Sequence, residues 1–421
     1  MTIGLVSLGC AKNAADLEVR AARLISGGWT LSADPDSCDT LIVNTCAFIE
    51  QARNEAEREI ARAVALKRKG SVRRVVVAGC YPQRYPERAA MFPGVDSWEG
   101  VPVKFDCRRV PGLRLSGKAC AYLKVAEGCS HRCSYCAIPA IRGGYRSRPL
   151  RSVLEEARGF VRTGARELNV IAQDPMLYGS DMKRKPGGKA VDIVRLLREL
   201  DRIRGDFKVR VLYSHPAEIS DAFLEWMGTS PRAVKYVDVP IQHTDPAVLA
   251  AMARGSAVNA TLNVAERIRA AVPGVTLRTT VMTGFPGETA ARFGRLLADV
   301  ERMRFDHLGV FAYSPEEGTA AFGMKGRPPM KVAQSRALKI MAAQKRIWAA
   351  KAKAMVGGTY GALVVAPGVA RLESQAPDVD GVVFMEGAPA FAKEGRFVSV
   401  RLTRRLGWDF AAEVDTSAGF W

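Results

Sequence analysis

Apolar and polar positions follow one another in three regimes along this chain. In the first 115 residues, short apolar runs each give way to a stretch of helical periodicity. The runs Ile3 to Ser7, Thr40 to Asn44 and Arg74 to Ala78 predict strands. The stretches beginning near Asn13, spanning Glu50 to Lys69 and following Pro82 predict helices. Three βα units in succession predict a parallel sheet covered by helices. From 116 to 351 the alternation is longer. Strands are expected at Ala121 to Val125, Glu167 to Ala172, Val209 to Tyr213, Tyr236 to Val239, Thr276 to Met282 and Leu308 to Ala312. Between them lie amphipathic stretches at Leu150 to Thr163, Val191 to Arg204, Ala222 to Met227, Val258 to Ala271 and Glu288 to Met303, which makes six βα repeats. A long helix from Lys331 through Trp348 to Met355 ends at Gly357-Gly358. From 352 to 421 the chain is β-rich, with runs at Tyr360 to Val365, Val382 to Phe384, Arg396 to Leu402 and Asp409 to Val414 separated by Gly/Pro/Asp turns. That pattern suits a small five-stranded barrel of the OB-like kind, four of whose strands can be placed.

Length and composition agree with three globular domains: 421 residues, 48% hydrophobic and 25% charged. No run of eighteen apolar residues occurs, so no membrane is expected. The net charge of +19 points to a polyanionic neighbour such as nucleic acid or a ribosome, although an Arg-rich composition raises it too. Its distribution is uneven. From residue 356 onward the chain sums to −2, which leaves +21 on the first 355 residues. A phosphate-gripping module carries clustered Lys and Arg, so the last domain fits a basic protein partner better, apart from a small patch at Arg401, Arg404 and Arg405.

The chemistry lies in the cysteines, nine in all. Cys129, Cys133 and Cys136 fall within eight residues on a glycine-flanked loop after the strand expected at Ala121 to Val125. Thiolates suit iron–sulfur clusters, and a full cluster takes about four of them, so a triplet leaves one iron open. Zinc closed by His131 is the rival reading. A disulfide framework fits neither the odd count nor the absence of a signal peptide, and a cytoplasmic location is expected. In the first domain Cys10, Cys46 and Cys80 each follow a strand, about one βα unit apart. Ligands in parallel sheets bind beyond the carboxyl ends of the strands. The three therefore read as a second trio, against the alternative of three buried structural cysteines. Cys38 reads as packing, and Cys107 and Cys120 as boundary residues.

The spacing C-x3-C-x2-C directly after a strand resembles the signature of the radical S-adenosylmethionine (SAM) enzymes. That resemblance implies a partial TIM barrel, with the open iron binding SAM and the reduced cluster cleaving it to a 5′-deoxyadenosyl radical. Two trios plus a terminal β-barrel resemble the radical SAM methylthiotransferases across nearly the whole chain. The implied fold is α/β: a flavodoxin-like domain at 1–115, a radical SAM core at 116–351 and a TRAM domain at 352–421. The implied cofactors are two 4Fe-4S clusters and SAM, with an external electron donor. Gln173, after the second barrel strand, and Gly284 and Pro286, in the Gly-Phe-Pro-Gly-Glu turn after the fifth, are expected along SAM. Among Arg142, Arg146 and Arg148, the last is favoured for the same role because it opens the next helix at the barrel mouth.

Three segments look like the branch that modifies an aspartate of small-subunit ribosomal protein number twelve. They are Ser7 to Glu18 (S-L-G-C-A-K-N-A-A-D-L-E), Tyr236 to His243 (Y-V-D-V-P-I-Q-H) and Ser314 to Thr319 (S-P-E-E-G-T). Glu316 and Glu317 at the barrel mouth would repel phosphate and accept a basic polypeptide. Ser214-His215-Pro216 is closer to the tRNA branch, so methylthiolation of a tRNA adenosine is the alternative. A non-catalytic iron–sulfur sensor is the third reading, disfavoured by the barrel-mouth motifs. A ribosomal protein substrate and ribosome contact are the expected partners.

Overall fold

The structure is a computed structural model and describes residues 1–102, 113–183 and 190–416. The first domain contains β1 (Thr2–Ser7), α1 (Ala11–Ser26), β2 (Thr30–Leu31), β3 (Cys38–Thr45), α2 (Glu50–Arg68), β4 (Val72–Gly79), α3 (Cys80–Arg84) and β5 (Ser97–Glu99). All strands are parallel in the order β2-β1-β3-β4-β5, the flavodoxin-like order. The short edge strands β2 and β5 carry too few residues for their alternation to stand out in the sequence. The central strands are buried on both faces: Leu41, Val43, Val75 and Val77 are fully covered.

The second unit opens with β6 (Cys120–Lys124) and a small antiparallel pair, β7 (Ala126–Glu127) with β8 (Arg146–Ser147), around α4 (Ile138–Arg142). Then come α5 (Leu150–Arg162), β9 (Glu167–Ile171), α6 (Ile193–Asp201), β10 (Lys208–Val211), α7 (Asp221–Thr229), β11 (Ala233–Asp238), α8 (Pro246–Ala251), α9 (Val258–Ala271), β12 (Thr276–Thr283), α10 (Ala290–Met303), β13 (His307–Ala312) and α11 (Met330–Met355). β6, β9, β10, β11, β12 and β13 pair in parallel in that order, an open six-stranded barrel wall with helices outside. None of the described helices is long and apolar enough to cross a membrane.

The terminal unit, β14 (Thr359–Ala366), β15 (Val369–Leu372), β16 (Val383–Met385), β17 (Phe397–Leu406) and β18 (Asp409–Val414), closes into a five-stranded barrel. β15 is the strand not placed from sequence. It is short, is almost wholly buried, and carries the buried Arg371 where an apolar residue would have marked it.

Both ends of the large barrel are covered. At the amino ends of its strands, the segment after β15 enters the floor. Arg371 and Arg210 converge on Glu167, at 3.0 and 3.2 Å. Tyr236 Oη donates to Asp380 at 2.7 Å, Arg278 pairs with Asp380 at 2.6 Å, and His307 Nε2 meets the Ser374 carbonyl at 2.7 Å. Ala376 is fully buried among Tyr122, Ile171, Leu212 and Tyr236, a cluster that Ala15 of α1 joins and against which Ala11 and Ala14 pack. The negative total of the last domain is therefore partly internal. Asp380 is neutralised against the barrel, while Glu386 and Glu413 are paired with Arg404 and Arg401.

A candidate active site between the first domain and the barrel mouth

The local trio is framed by backbone. The β7–β8 pair brackets the loop, Cys129 N donates to the Gly143 carbonyl at 3.1 Å, and Cys136 N to the Cys133 carbonyl at 3.0 Å. Ser134 Oγ reaches the Ala251 carbonyl at 2.7 Å, tying the loop to α8. Gly128 lies at φ +76°, and a Cβ there would strike the Gly144 carbonyl oxygen. Burial first, then Asp174 and Cys133, push the Cys129 thiol up to about 11. Burial, then Cys133 and Cys129, push Cys136 up to about 12.

The second trio is assembled by the sheet. Ser7 pairs with Asn44 and Asn44 with Ala78, so the residues that follow β1, β3 and β4 emerge level at one edge, at the β1/β3 switch point. There stand Cys10, Cys46 and Cys80. Asn13 knits them together: its Nδ2 donates to the Thr45 carbonyl at 2.9 Å, and its Oδ1 lies 3.4 Å from Cys80 Sγ. Burial, then Cys80 and Cys10, push Cys46 up to about 12. Burial also raises Cys80. For Cys10 the burial cost is outweighed by Lys12 and Arg142, and the thiol is lowered.

Thiolates held this close together repel one another unless a cation takes their charge. The eight described cysteines are all free thiols. No three cysteine sulfurs come within 4.8 Å of one another among the described residues. A single zinc ion, with Zn–S bonds of about 2.3 Å, needs a tighter cage. A multi-iron core with one protein-free iron fits each donor set better. Cys38 packs against the Pro35 carbonyl at 3.3 Å, Cys120 lies 3.0 Å from Arg371, and Cys107 falls outside the described residues.

Between the trios runs a buried ionic seam. Arg142, from α4 beside the local trio, pairs with Asp16 at 3.0 Å and Glu127 at 2.9 Å. Its other nitrogen donates to Asn13 Oδ1 at 2.5 Å and lies 3.3 Å from Cys80 Sγ. Lys124 bonds Asp16 and, at 2.8 Å, Glu127. Burial alone would raise Glu127, but Lys124 and Arg142 hold it at about 2. Gln173 Nε2 donates to Glu127 at 3.0 Å, leaving its buried Oε1 without a partner. One guanidinium thus touches structures that carry both trios.

The structure redistributes the other candidates. Arg148, expected along SAM, is buried with its guanidinium on Glu156, Ser152 Oγ (3.1 Å) and the Lys124 carbonyl (2.6 Å), which ties the loop to α5. Arg142 takes the central place instead. The Gly284 amide donates to Glu288 Oε2 at 3.1 Å, and a Cβ at Gly284 would strike Ala333 of α11. That glycine answers to helix packing, with the buried Pro286 beside it. Glu316 is not an open mouth carboxylate. It is 2% exposed, accepts from Glu50 N at 2.9 Å, and pairs with Arg53 and, at 3.1 Å, Arg84. It locks the first domain to the barrel, while Glu317 stays exposed. His131 turns to Asp174 at 2.8 Å and stacks on His215 at 4.3 Å rather than closing its trio. Both His215 nitrogens are engaged, by Ala217 N and Arg254 Nε, and burial followed by Arg254 drives its pKa down to about 2. His243 is fully buried, with Nδ1 accepting from Asp245 N at 2.9 Å and Nε2 3.4 Å from Glu288 Oε2.

Fold and site define a class, the radical SAM enzymes. The radical SAM superfamily model matches residues 123–300, a model of uncharacterized protein family UPF0004 matches 2–100, and a TRAM domain model matches 356–414. Among solved structures the chain is similar to the radical SAM methyltransferase TsrM from Kitasatospora setae, with TM-score 0.54, 16% identity, and 76% and 77% of the two chains covered. It is also similar to the cobalamin-dependent SAM radical enzyme OxsB, with TM-score 0.50, 11% identity, and 81% and 56% covered. These likenesses show the fold alone. Full-length relatives go further. The chain is 39% identical to the ribosomal protein uS12 methylthiotransferase RimO of Syntrophus aciditrophicus (strain SB), with 99% of each chain covered. It is 37% identical to the RimO protein of Akkermansia muciniphila, over 98% of this chain and all of that one. The chain belongs to the family of ribosomal protein uS12 methylthiotransferases.

Proposed function

We propose that this protein inserts sulfur and a methyl group at an unactivated C–H of an aspartate in ribosomal protein uS12, consuming SAM. The observation that carries the reading is the pair of three-thiol sites joined by the Arg142 seam. Near-full-length similarity to uS12 methylthiotransferases supports the choice of substrate.

Cys129, Cys133 and Cys136 would hold one 4Fe-4S cluster, and Cys10, Cys46 and Cys80 the other. When bound, the clusters and SAM supply reductive radical chemistry and a transferable sulfur. The chain's own residues do the rest. Bringing the trios to one mouth limits the stray C–H donors that a carbon radical could meet before the substrate. Arg142 offsets negative charge at the first-domain trio. Gln173 offers its open Oε1 as a polar contact for SAM. The reaction also needs an electron from an external donor. The +21 carried by the first 355 residues suits contact with a ribosome. A cytoplasmic setting follows from such a partner.

Mass spectrometry of ribosomal proteins and of tRNA nucleosides from a deletion strain tests this reading. The methylthio group should vanish from uS12 and persist in tRNA. Loss from tRNA alone would overturn it.

A further inference from the structure

Three cations meet at the seam, and they are not treated alike. Lys124 and Arg142 each contact both Asp16 and Glu127. Lys12, on the first turn of α1 two residues beyond Cys10, has no carboxylate within ion-pair distance among the described residues. Its Nζ sits 3.2 Å from the centroid of the Tyr213 ring. A cation–π contact returns only part of what desolvating an ammonium costs. The contact alone therefore leaves Lys12 under-compensated.

The platform beneath it is itself strained. Tyr213, just past β10, holds φ +72°, a left-handed conformation rare for a bulky residue. Such strain persists where the surroundings enforce it, and it gathers at ligand sites. Here Asp238, at the end of β11, enforces it. Its Oδ2 accepts from Tyr213 N at 3.2 Å and its carbonyl from Ser214 N at 2.8 Å. The carboxyl ends of β10 and β11 thus fix an aromatic ring under an ammonium at the barrel mouth, beside the sulfur site of the first domain. Lys12 keeps some accessible surface there, unlike the fully covered Asn13 and Ala15 that follow it.

We infer that Lys12 is a specificity-determining residue that receives the carboxylate of the substrate's aspartate side chain. The inference rests on the protein-substrate reading above, which puts a carboxylate next to the C–H bond that reacts. One ammonium matches one carboxylate in charge and size. A phosphodiester backbone would bring repeated charges toward Glu127 and Asp238, both close enough to act on Lys12. Such fixed negative neighbours select against the polyanion.

The test uses reconstituted holoprotein and two labelled peptides from the uS12 loop, one with the target aspartate and one with asparagine in its place. Binding is read by fluorescence anisotropy, alongside iron content and SAM affinity. Wild type should prefer the aspartate peptide by about tenfold or more. Lys12→Met should bring the two peptides to near-equal affinity with iron content and SAM affinity unchanged, and Lys12→Arg should restore part of the preference. Discrimination that survives in Lys12→Met overturns the proposal alone. So does a change confined to first-domain iron or to SAM affinity, since the lysine would then serve the cluster or SAM. Wild type binding neither peptide overturns the substrate reading and this proposal with it.

Discussion

The two three-thiol sites solve one chemical problem by opposite routes. The trio at Cys129, Cys133 and Cys136 is written on eight consecutive residues and framed by hydrogen bonds within its own loop and to α8. The trio at Cys10, Cys46 and Cys80 exists only because three strands lie in register, so its geometry is a property of the sheet. A site made locally tolerates disturbance elsewhere in the fold, whereas a site made by topology inherits every shift of its strands. Arg142 is where the two designs meet, since it springs from the local loop and donates toward the assembled trio.

The largest expected effects come from backbone changes that strike one design and spare the other. Gly128→Ala forces a Cβ into the Gly144 carbonyl at φ +76°. Left-handed strain of about 1–2 kcal/mol adds to an overpacking cost of about 1–3 kcal/mol. The variant should lose iron from the loop site and release no 5′-deoxyadenosine, while first-domain iron remains. Gly79→Ala is the mirror case: at φ +100° its Cβ would lie 2.7 Å from the Thr45 carbonyl oxygen, driving β4 off β3 just where Cys80 must level with Cys46. First-domain iron should fall while SAM cleavage survives. Equal loss of both sites in either variant would erase the distinction.

A smaller effect is expected far from both trios, at the barrel floor. Burial would raise Glu167, but Arg210 and Arg371 hold it at about 2. A carboxylate depressed in the folded state contributes stability that is present above its unfolded pKa and lost as pH falls through the folded value. That contribution, on the order of 3 kcal/mol, should disappear between about pH 4.5 and about 2. Urea unfolding at a series of pH values should show Glu167→Gln less stable at neutral pH, with a flatter acid limb and both sites still loading iron. An unchanged acid slope would assign the acid sensitivity elsewhere.

The same contrast explains what could be read in advance. The loop trio is legible as a spacing. The assembled trio is legible too, because each cysteine directly follows an apolar run and parallel sheets align such positions. The side-chain partners of the seam are not. Glu316 reads as an open mouth carboxylate, yet it meets Arg53 and Arg84, more than 230 residues away in the chain. Arg148 and Arg142 share one basic loop, and only the folded backbone shows that the first turns onto α5 while the second faces the thiols. Strand β15 stays hidden because Arg371, a floor residue, interrupts its apolar run.

Iron counting with paired cysteine variants tests the division most directly. Anaerobically reconstituted wild type should hold about eight irons per chain. Cys133→Ala and Cys46→Ala should each hold about four. Cys133→Ala should release no 5′-deoxyadenosine, and Cys46→Ala should still release it while inserting no sulfur. A single cluster in the wild type, or both variants losing both activities to the same degree, would contradict two separate sites with separate tasks.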